Sequence, residues 1–209
     1  MENIILGVLF VTSVIGLTVI IERGFALRAS RIIPRSVEDG LDACRATSDW
    51  PALQRICEQN PSPLSRLLLQ AGQRRHWPKE ENANALETTA RHEVTVLERR
   101  LVILEIVVGV APLLGLVGTI YGLIELFGGL SVPGLGDSSG VAKGISDALL
   151  ATLLGLLTAI PSLVAWSYYS RKVESIAVEM AALCDQFLIR QYHTDDETAA
   201  RQAQFRQHL

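Results

Sequence analysis

Residues 148–170 read ALLATLLGLLTAIPSLVAWSYYS and contain no Asp, Glu, Lys, Arg or His. This window of 23 residues exceeds the roughly 20 apolar residues that a helix needs to cross a bilayer core of about 30 Å. Residues 3–21 and 106–124 lack the same five residue types over 19 residues each. The three windows predict an all-α membrane protein with three transmembrane helices.

The composition points to the same class of protein. Hydrophobic residues make up 49% of the chain and charged residues 20%, and the mean hydropathy is +0.28, which is high for a soluble domain. The apolar excess is concentrated in the three windows. This distribution excludes a purely soluble enzyme, a disordered protein and an outer-membrane barrel, whose strands would be about 10 residues long and alternating.

Basic residues are distributed unevenly between the two sides of the expected membrane. Of the 19 Lys and Arg residues, 18 follow the first span or the third, and only Lys143 lies between the second span and the third. The positive-inside rule therefore places the N-terminus in the periplasm and the C-terminus in the cytoplasm. We expect transmembrane helices over 1–21, 101–127 and 144–170, a cytoplasmic helical domain over 22–100, a periplasmic loop over 128–143 and a cytoplasmic C-terminal helix over 171–209.

The first span has the properties of an anchor and not of a cleaved signal. It lacks a basic start, and Glu22 follows it where a signal peptide would carry a small-residue cleavage site. The three cysteines, Cys44, Cys57 and Cys184, fall on the predicted cytoplasmic side, where thiols stay reduced. Their spacing does not match a metal site, so we expect no disulfide, metal or cofactor.

Two spans are expected to extend far beyond the membrane as helices. Lys79 follows Pro78 and opens an acid-rich first turn, and no breaker then appears before Pro112. A helix unbroken over 79–127 would be about 73 Å long at 1.5 Å per residue. The apolar period also continues after the third span, from Val173 onward.

Small residues occupy one face of the second span and one face of the third. At 100° per residue they fall within arcs of about 120° and about 140°, with Gly109 of the second span as the exception. The small residues of the first span scatter, so we expect that span to face lipid. The two faces are either contact faces between helices or, with Thr119, Thr152 and Thr158, the lining of a cavity shared between subunits. A pore would need several copies around an axis. The small faces comprise Ala111, Pro112, Gly115, Gly118, Thr119 and Gly122 in the second span, and Ala148, Ala151, Thr152, Gly155, Thr158, Ala159, Ser162 and Ala165 in the third.

Three carboxylates lie near the expected membrane boundaries. Glu105 and Glu125 are 20 residues apart, which is about 30 Å along a helix and places them near opposite interfaces. Asp147 precedes the third span on the external side. Each is a candidate for ion transfer, although Glu105 and Glu125 could also anchor the helix at the interfaces and Asp147 could be a helix-start acid. Because no acid lies at mid-membrane, a proton crossing here would need a carboxylate on another chain.

Two prolines lie inside the spans, Pro112 in the second and Pro161 in the third. Each removes a backbone hydrogen bond and can kink its helix. The kinks could be architectural or could act as hinges.

Two separated motifs carry a family resemblance. Residues 111–122 (APLLGLVGTIYG), together with 144–152 (GISDALLAT) and 155–161 (GLLTAIP), resemble the MotA/TolQ/ExbB proton-channel family. Three spans and an external N-terminus are most similar to the ExbB/TolQ branch. Asp147 stands where many relatives carry Glu.

The resemblance implies a motor subunit of the bacterial inner membrane. It implies a pentameric ring around the transmembrane helices of an ExbD- or TolR-like partner, whose aspartate carries the proton past Thr119 and Thr152. Asp147 and Glu125 would tune the external mouth, and Glu105 would lie towards the cytoplasmic exit. The work would pass to a TonB-like or TolA-like protein, with no nucleic acid involved.

Two other classes of protein have different sequence requirements. A membrane scaffold would use the small faces for assembly only and its cytoplasmic helices to recruit a soluble partner. A membrane enzyme would need a catalytic motif, and the chain has no His-Glu-x-x-His, Gly-x-Ser-x-Gly or phosphate loop. We therefore expect that the protein is not an enzyme.

Overall fold

A computed structural model describes the backbone of residues 2–44, 49–130 and 138–207, and the side chains of residues 4–44, 49–128 and 141–192. The regular elements in these ranges are α-helices. They are α1 (Glu2–Ala26), α2 (Ala29–Ile32), α3 (Arg35–Ala43), α4 (Trp50–Gln59), α5 (Pro63–Gln73), α6 (Lys79–Glu98), α7 (Leu101–Leu130) and α8 (Ser138–Gln207).

Three helices are long and apolar enough to cross a membrane, which confirms the predicted all-helical class with three candidate spans. The candidate spans are Ile4–Ala26, Leu101–Gly128 and a stretch within Val141–Tyr192. Their most apolar windows are only 17%, 33% and 28% buried within the chain. Most of their large apolar side chains therefore face outward, as is expected where lipid or another chain supplies the surroundings.

The chain forms two compact units. The transmembrane unit consists of Met1–Phe25 and Arg99–Ser170, and the polar unit consists of Ala26–Glu98 and Arg171–Leu209. Helix α8 contributes to both, because it continues without interruption after the third span. The helix therefore continues to Gln207, well past the apolar window 148–170.

In the transmembrane unit, α1 packs against both α7 and α8 through one stripe. A β-carbon on Gly16 would lie 3.2 Å from Ser162 Oγ and 3.3 Å from Val107 Cγ1, and Leu9 and Val19 are buried on the same helix. The first span, which we expect to face lipid, thus also has one packed stripe, while most of its large apolar side chains are exposed. Its small residues do scatter, but a single glycine at the crossing point is enough for a close contact.

The polar unit is a helical bundle around an apolar core. The Trp50 and Phe187 rings lie 5.6 Å apart at an angle of 49°, and Gly72 leaves the room that the indole occupies. A β-carbon on Gly72 would lie 1.9 Å from Trp50 Cη2. The fully buried core side chains include Leu27, Ile32, Val37, Leu41, Leu53, Leu64, Leu67, Leu68, Val173, Met180 and Phe187.

The short helices of the polar unit begin where the sequence has proline signals. α4 begins at Trp50, α5 at Pro63 and α6 at Lys79. The Ser62 hydroxyl caps α5 by accepting a bond from the Ser65 backbone N–H at 3.1 Å.

A bidentate ion pair joins α5 to α6 within this unit. Arg66 donates from Nε to Glu93 Oε1 at 2.8 Å and from Nη2 to Oε2 at 2.5 Å. The hydrogen bond to Glu93 raises the pKa of the Arg66 guanidinium. Since Glu93 is only 7% exposed, this paired geometry is what allows its charge to be buried.

The predicted unbroken helix over 79–127 is wrong. α6 ends at Glu98 and α7 begins at Leu101, with a turn at Arg99 and Arg100 between them. The Ile103 N–H bonds to the Arg100 carbonyl at 3.3 Å, a spacing of three residues where an α-helix uses four. The break has no Gly or Pro signal, and it falls where the chain passes from the polar unit to the transmembrane unit.

Two parts of the segment over 128–143, which we predicted as a periplasmic loop, are helical. Residues 128–130 belong to α7 and residues 138–143 to α8. Residues 131–137, and residues 208–209 of the predicted C-terminal helix, lie outside the described part of the chain.

Candidate functional site

The predicted packing glycines lie at the contact between α7 and α8. A β-carbon on Gly115 would lie 2.9 Å from the Ala151 carbonyl oxygen, and one on Gly155 would lie 2.7 Å from the Ala111 carbonyl oxygen. Both of these oxygens belong to the backbone, so they cannot rotate away as a side chain could. The two helices therefore touch backbone to backbone, as small faces permit in a membrane.

Towards the end of α7 the same contact continues through side-chain methyl groups. A β-carbon on Gly118 would lie 2.8 Å from Ala151 Cβ, and one on Gly122 would lie 3.0 Å from Ala148 Cβ. Four glycines thus occupy one seam, which fixes the register of α7 against α8.

Two predicted pathway residues, Thr119 and Thr152, meet in this seam. Their hydroxyl groups hydrogen-bond to each other. Thr119 Oγ1 also lies 3.0 Å from the Ala148 carbonyl oxygen and 3.2 Å from that of Gly115, and Thr152 Oγ1 lies 3.3 Å from the Gly115 oxygen. Each hydroxyl has one proton to donate and two lone pairs. Two protons are therefore shared among the two hydroxyls and two backbone carbonyls.

Both threonines are half-buried within the single chain. Their hydroxyls lie in an otherwise apolar seam whose backbone approach leaves little room for rearrangement. A polar group from outside the three-helix unit could donate a hydrogen bond to either hydroxyl or accept one from it. The backbone carbonyl oxygens would accept the hydroxyl proton that is left.

Thr158, which shares the small face of the third span, is not part of this pair. Its hydroxyl donates to the Leu154 carbonyl of its own helix at 3.0 Å. It lines a separate apolar cleft of about 410 Å³ between α1 and α8, together with Leu9 and Ser13. The structure therefore brings together two of the three predicted hydroxyls.

Two of the three predicted carboxylates also lie together. Glu125 and Asp147 line a cleft of about 210 Å³ at the far end of the α7–α8 seam, beside Gly122 and Ala148. Glu105 is exposed on the second turn of α7 and is not part of this cleft. Among the described side chains, no three His, Cys, Asp or Glu residues are grouped to hold a metal ion.

Helices α7 and α8 both continue through their prolines, Pro112 and Pro161. Since a proline has no N–H, the carbonyls of Val108 and Leu157 lose the donor that a regular helix would provide four residues later.

Sequence reasoning missed the role of Glu22. Its carboxylate accepts bonds from Arg23 Nη2 at 2.9 Å and from Arg100 Nη1 at 2.6 Å, which joins the end of α1 to the start of α7. Nearby, Tyr169 Oη donates to the Ile20 carbonyl at 2.9 Å. The only sign of this role in the sequence was that Glu22 is a single acid among the basic residues that directly follow the first span.

The sequence is similar to that of known membrane proteins. Residues 59–182 match the model of the MotA/TolQ/ExbB proton channel family. The Tol-Pal system protein TolQ of Pseudomonas aeruginosa is 29% identical over a match that covers 93% of this chain and 90% of that protein.

Two putative ExbB-like biopolymer transport proteins of a Synechocystis species are also similar. One is 34% identical over 165 residues, covering 76% of this chain and 63% of the relative. The other is 30% identical over 196 residues, covering 88% and 90%.

The motifs predicted a membrane channel subunit. Three candidate spans, a small-residue seam and a hydroxyl pair fit that class of protein. The chain belongs to the MotA/TolQ/ExbB proton channel family, on the ExbB/TolQ branch. The predicted family is thereby confirmed, and this family is one of transport and energy-transducing channels, not one known for enzymatic activity.

Proposed function

We propose that this protein is the channel subunit of a proton-driven motor in the bacterial inner membrane. With an ExbD- or TolR-like partner, it uses the proton motive force to energise transport or envelope work across the periplasm. A TonB-like or TolA-like protein receives that work.

The observation that carries the proposal is the Thr119–Thr152 pair. The spans contain hydroxyls on their inner seam but no Asp or Glu within residues 106–124 or 148–170. A proton crossing the membrane needs a titrating group, and a single-span partner with an aspartate supplies it. The hydroxyl pair can donate to that carboxylate when it is ionised and accept from it when it is protonated.

The small size of the three-span unit supports an assembly of several copies. Three helices enclose no channel by themselves, and most of their large apolar side chains face outward. In the proposed ring, five copies surround the partner's transmembrane helices. Some outward faces then contact neighbouring copies, and the rest contact lipid.

In the proposed ring, the three candidate carboxylates lie near the two ends of the proton pathway. Asp147 and Glu125 share a cleft, so they tune the periplasmic mouth as a pair, with the N-terminus of the chain on that side. Glu105 lies towards the cytoplasmic exit, on the side of the basic flanks. A proton thus enters past Asp147 and Glu125. The partner's aspartate carries it past the Thr119–Thr152 pair, and it leaves near Glu105.

The test is proton flux in liposomes that contain the chain with its partner. Thr119→Val and Thr152→Val keep the side-chain shape and remove one hydroxyl each. We expect each to lower the flux about tenfold or more, which is the rate effect of about 1.4 kcal/mol in the barrier. Flux is read from a pH-sensitive dye trapped in the vesicles after a proton gradient is imposed.

The matched control is Thr158→Val, which removes a hydroxyl bonded only to its own helix. It should leave the flux near the wild-type value, and co-purification should show that all variants keep the partner. Unchanged flux in both seam variants, with the complex intact, would contradict the proposal. The scaffold hypothesis would then account for the small faces.

A further inference from the structure

A cleft of about 180 Å³ lies between α6 and α8 in the polar unit. The two helices run in opposite directions, because α6 ends where the chain enters the transmembrane unit and this part of α8 begins where the chain leaves it. Asn82, at the start of α6, accordingly donates to Tyr192 Oη, far along α8, at 3.1 Å. Leu86, Cys184 and Leu188 line the cleft and are each 4% exposed, so its floor is apolar.

Three alanines keep the cleft open. Ala83 and Ala90 line it from α6, where they are seven residues apart on one helical face, and Ala181 lines it from α8. Helices pack by fitting the side-chain ridges of one into the grooves of another. The methyl groups of these alanines fill little of the groove, which leaves room for the side chains of a third helix.

Exposed apolar side chains continue from the cleft along α8. Among the described side chains of the polar unit, four large apolar ones are exposed, and two of these are Val178, at 67%, and Ile189, at 46%. At 100° per residue both fall within an arc of about 80° that also contains Ala181 and Asp185 of the cleft. Exposed apolar side chains that adjoin a cleft are typical of a surface that another protein covers.

The charge of the cleft is negative. Among the described residues, its charged lining consists of Glu87 and Asp185. Glu87 bonds to Arg91 at 2.7 Å in an exposed pair within α6, whereas Asp185 has no ion pair in the part of the chain that the structure describes. Along α8, residues 173–189 contain three acids and no base. A segment that fits this surface is therefore basic as well as apolar.

We propose that this cleft is the docking site of a short basic amphipathic helix, the cytoplasmic flank of the single-span partner. The proposal rests on the proposed function for the existence of that partner. The cytoplasmic flank of a span is enriched in Lys and Arg, which complements the two carboxylates. A helix in a groove is anchored by apolar side chains three and four residues apart, and these would lie on Leu86, Leu188 and the alanine methyl groups. The stems of Lys or Arg lie along apolar surface while their charged ends reach Glu87 and Asp185.

The cleft lies within reach of a flank that leaves the membrane. Ala90 precedes the end of α6, at Glu98, by eight residues, which is about 12 Å along the helix. Ala181 follows Ser170, the last residue of the transmembrane unit, by 11 residues, or about 17 Å along α8. An extended linker of about six residues covers about 20 Å. A flank of about 15 residues thus provides both the linker and two helical turns.

The test measures binding of a peptide to the full-length protein. The probe is a fluorescein-labelled peptide with the sequence of the partner's cytoplasmic flank, titrated by fluorescence anisotropy against the protein in a neutral detergent. Asp185→Asn should weaken binding about two- to fivefold, which is the effect of one exposed ion pair. Ala181→Leu places a larger side chain in the cleft and should weaken binding about tenfold or more. Binding to the wild type should also fall as salt is added.

The matched controls are Glu179→Gln and Ala52→Leu. Glu179 is an exposed acid of α8 and Ala52 is an exposed alanine of α4, and neither lines the cleft. Both variants should bind the peptide as the wild type does. A second peptide, with Gln in place of each Lys and Arg, should bind weakly to the wild type and to Asp185→Asn alike. Thermal unfolding of the four variants establishes that the fold is retained.

Three results would overturn the proposal. These are no binding of the flank peptide to the wild type, equal binding of the Gln-substituted peptide, and an equal loss in Glu179→Gln. If the flank peptide does not bind and Ala181→Leu reduces the number of copies in the purified complex, the cleft is instead a contact between copies. A partner that co-purifies while its flank does not bind contradicts this inference alone, whereas a partner that never co-purifies contradicts the proposed function.

Discussion

Gly155 of α8 lies directly against Gly115 of α7, so that a β-carbon built on Gly155 would be 3.1 Å from the Gly115 Cα. Thr119 and Thr152, about one turn away on the two helices, are brought within hydrogen-bonding distance by this approach. The glycines and the hydroxyl pair therefore form one structural feature. A change that separates the backbones also separates the hydroxyls.

Gly155→Ala is expected to destabilise the transmembrane unit by about 1–3 kcal/mol, the usual effect of an extra methyl group in a packed interior. The new methyl group would meet the Ala111 carbonyl, and α7 and α8 would have to move apart. Thermal unfolding in detergent measures the effect. Gly109→Ala is the control, because its β-carbon would have nothing within 4 Å and alanine favours the helix by about 0.5–1 kcal/mol.

Thr119→Val and Thr152→Val are expected to be coupled in a double-mutant cycle. Each single change leaves the other hydroxyl with one partner fewer, whereas the double variant removes both. Hydrogen bonds between membrane helices contribute about 0.6 kcal/mol on average, and we expect a coupling energy of about that size. The unrelated pair Thr119 and Thr158 should be additive, and equal coupling in the two cycles would show that the effect is not the hydroxyl contact.

Glu22→Gln is expected to destabilise the protein more than Arg100→Gln. Glu22 accepts bonds from two guanidinium groups, and the Arg23 side chain is only 8% exposed, so we expect a loss of about 1.5–3 kcal/mol. The Arg100 side chain is 59% exposed, and its loss should cost less than about 1 kcal/mol. Thermal unfolding ranks the two variants, and the reverse order would contradict the bridging role of Glu22.

Gly72→Ala is expected to be among the most damaging single substitutions in the polar unit. Its methyl group would overlap the Trp50 indole, and we expect a loss of about 3 kcal/mol. Adding Trp50→Leu should recover part of that loss, because the two changes share one space. Gly40→Ala is the matched control, since the tightest contact of its β-carbon would be the flexible end of the Ile56 side chain, at 2.9 Å, and its contact with Leu53 Cδ1, at 3.4 Å, is an ordinary one.

The stability of the polar unit is expected to fall at alkaline pH through Cys57. Burial raises the pKa of this thiol from 9.0 to about 11, so the folded state holds the proton more tightly than the unfolded state does. The resulting stabilisation is fully present below about pH 9 and is lost as the pH rises through about 11. Unfolding free energies measured across this range should decline less steeply in Cys57→Ala than in the wild type. Burial also raises the pKa of the Cys44 thiol, which is present in both proteins and cancels in the comparison.

The seam of the transmembrane unit could be predicted from sequence because packing in a bilayer depends on residue size. Gly115, Gly118, Thr119 and Gly122 share one helical face at 100° per residue, and Thr152 and Gly155 share another. A helical wheel shows which face is small. It does not show which helix covers that face, so the direct contact between Thr119 and Thr152 needed the structure.

The break at Arg99 and Arg100 could not be predicted, because its determinants are distant in sequence. Arg100 bonds to Glu22, 78 positions earlier in the chain. Local helix propensity depends on neighbouring residues and cannot reveal that bond. The same holds for Gly16 on α1. Its importance comes from Val107 and Ser162 on two other helices, and one glycine leaves no periodic pattern.

Helix α8 has a consequence for the order in which the protein matures during synthesis. Val173, Met180 and Phe187 of α8 complete a polar-unit core whose other helices lie within residues 27–86, and they are translated after those helices. At about 5–20 residues per second, the ribosome needs roughly 6–24 s to proceed from Leu68 to Leu188. During that interval the earlier helices have exposed apolar faces and no partner from α8. We therefore expect chaperones to bind the nascent chain until its final quarter has emerged from the ribosome.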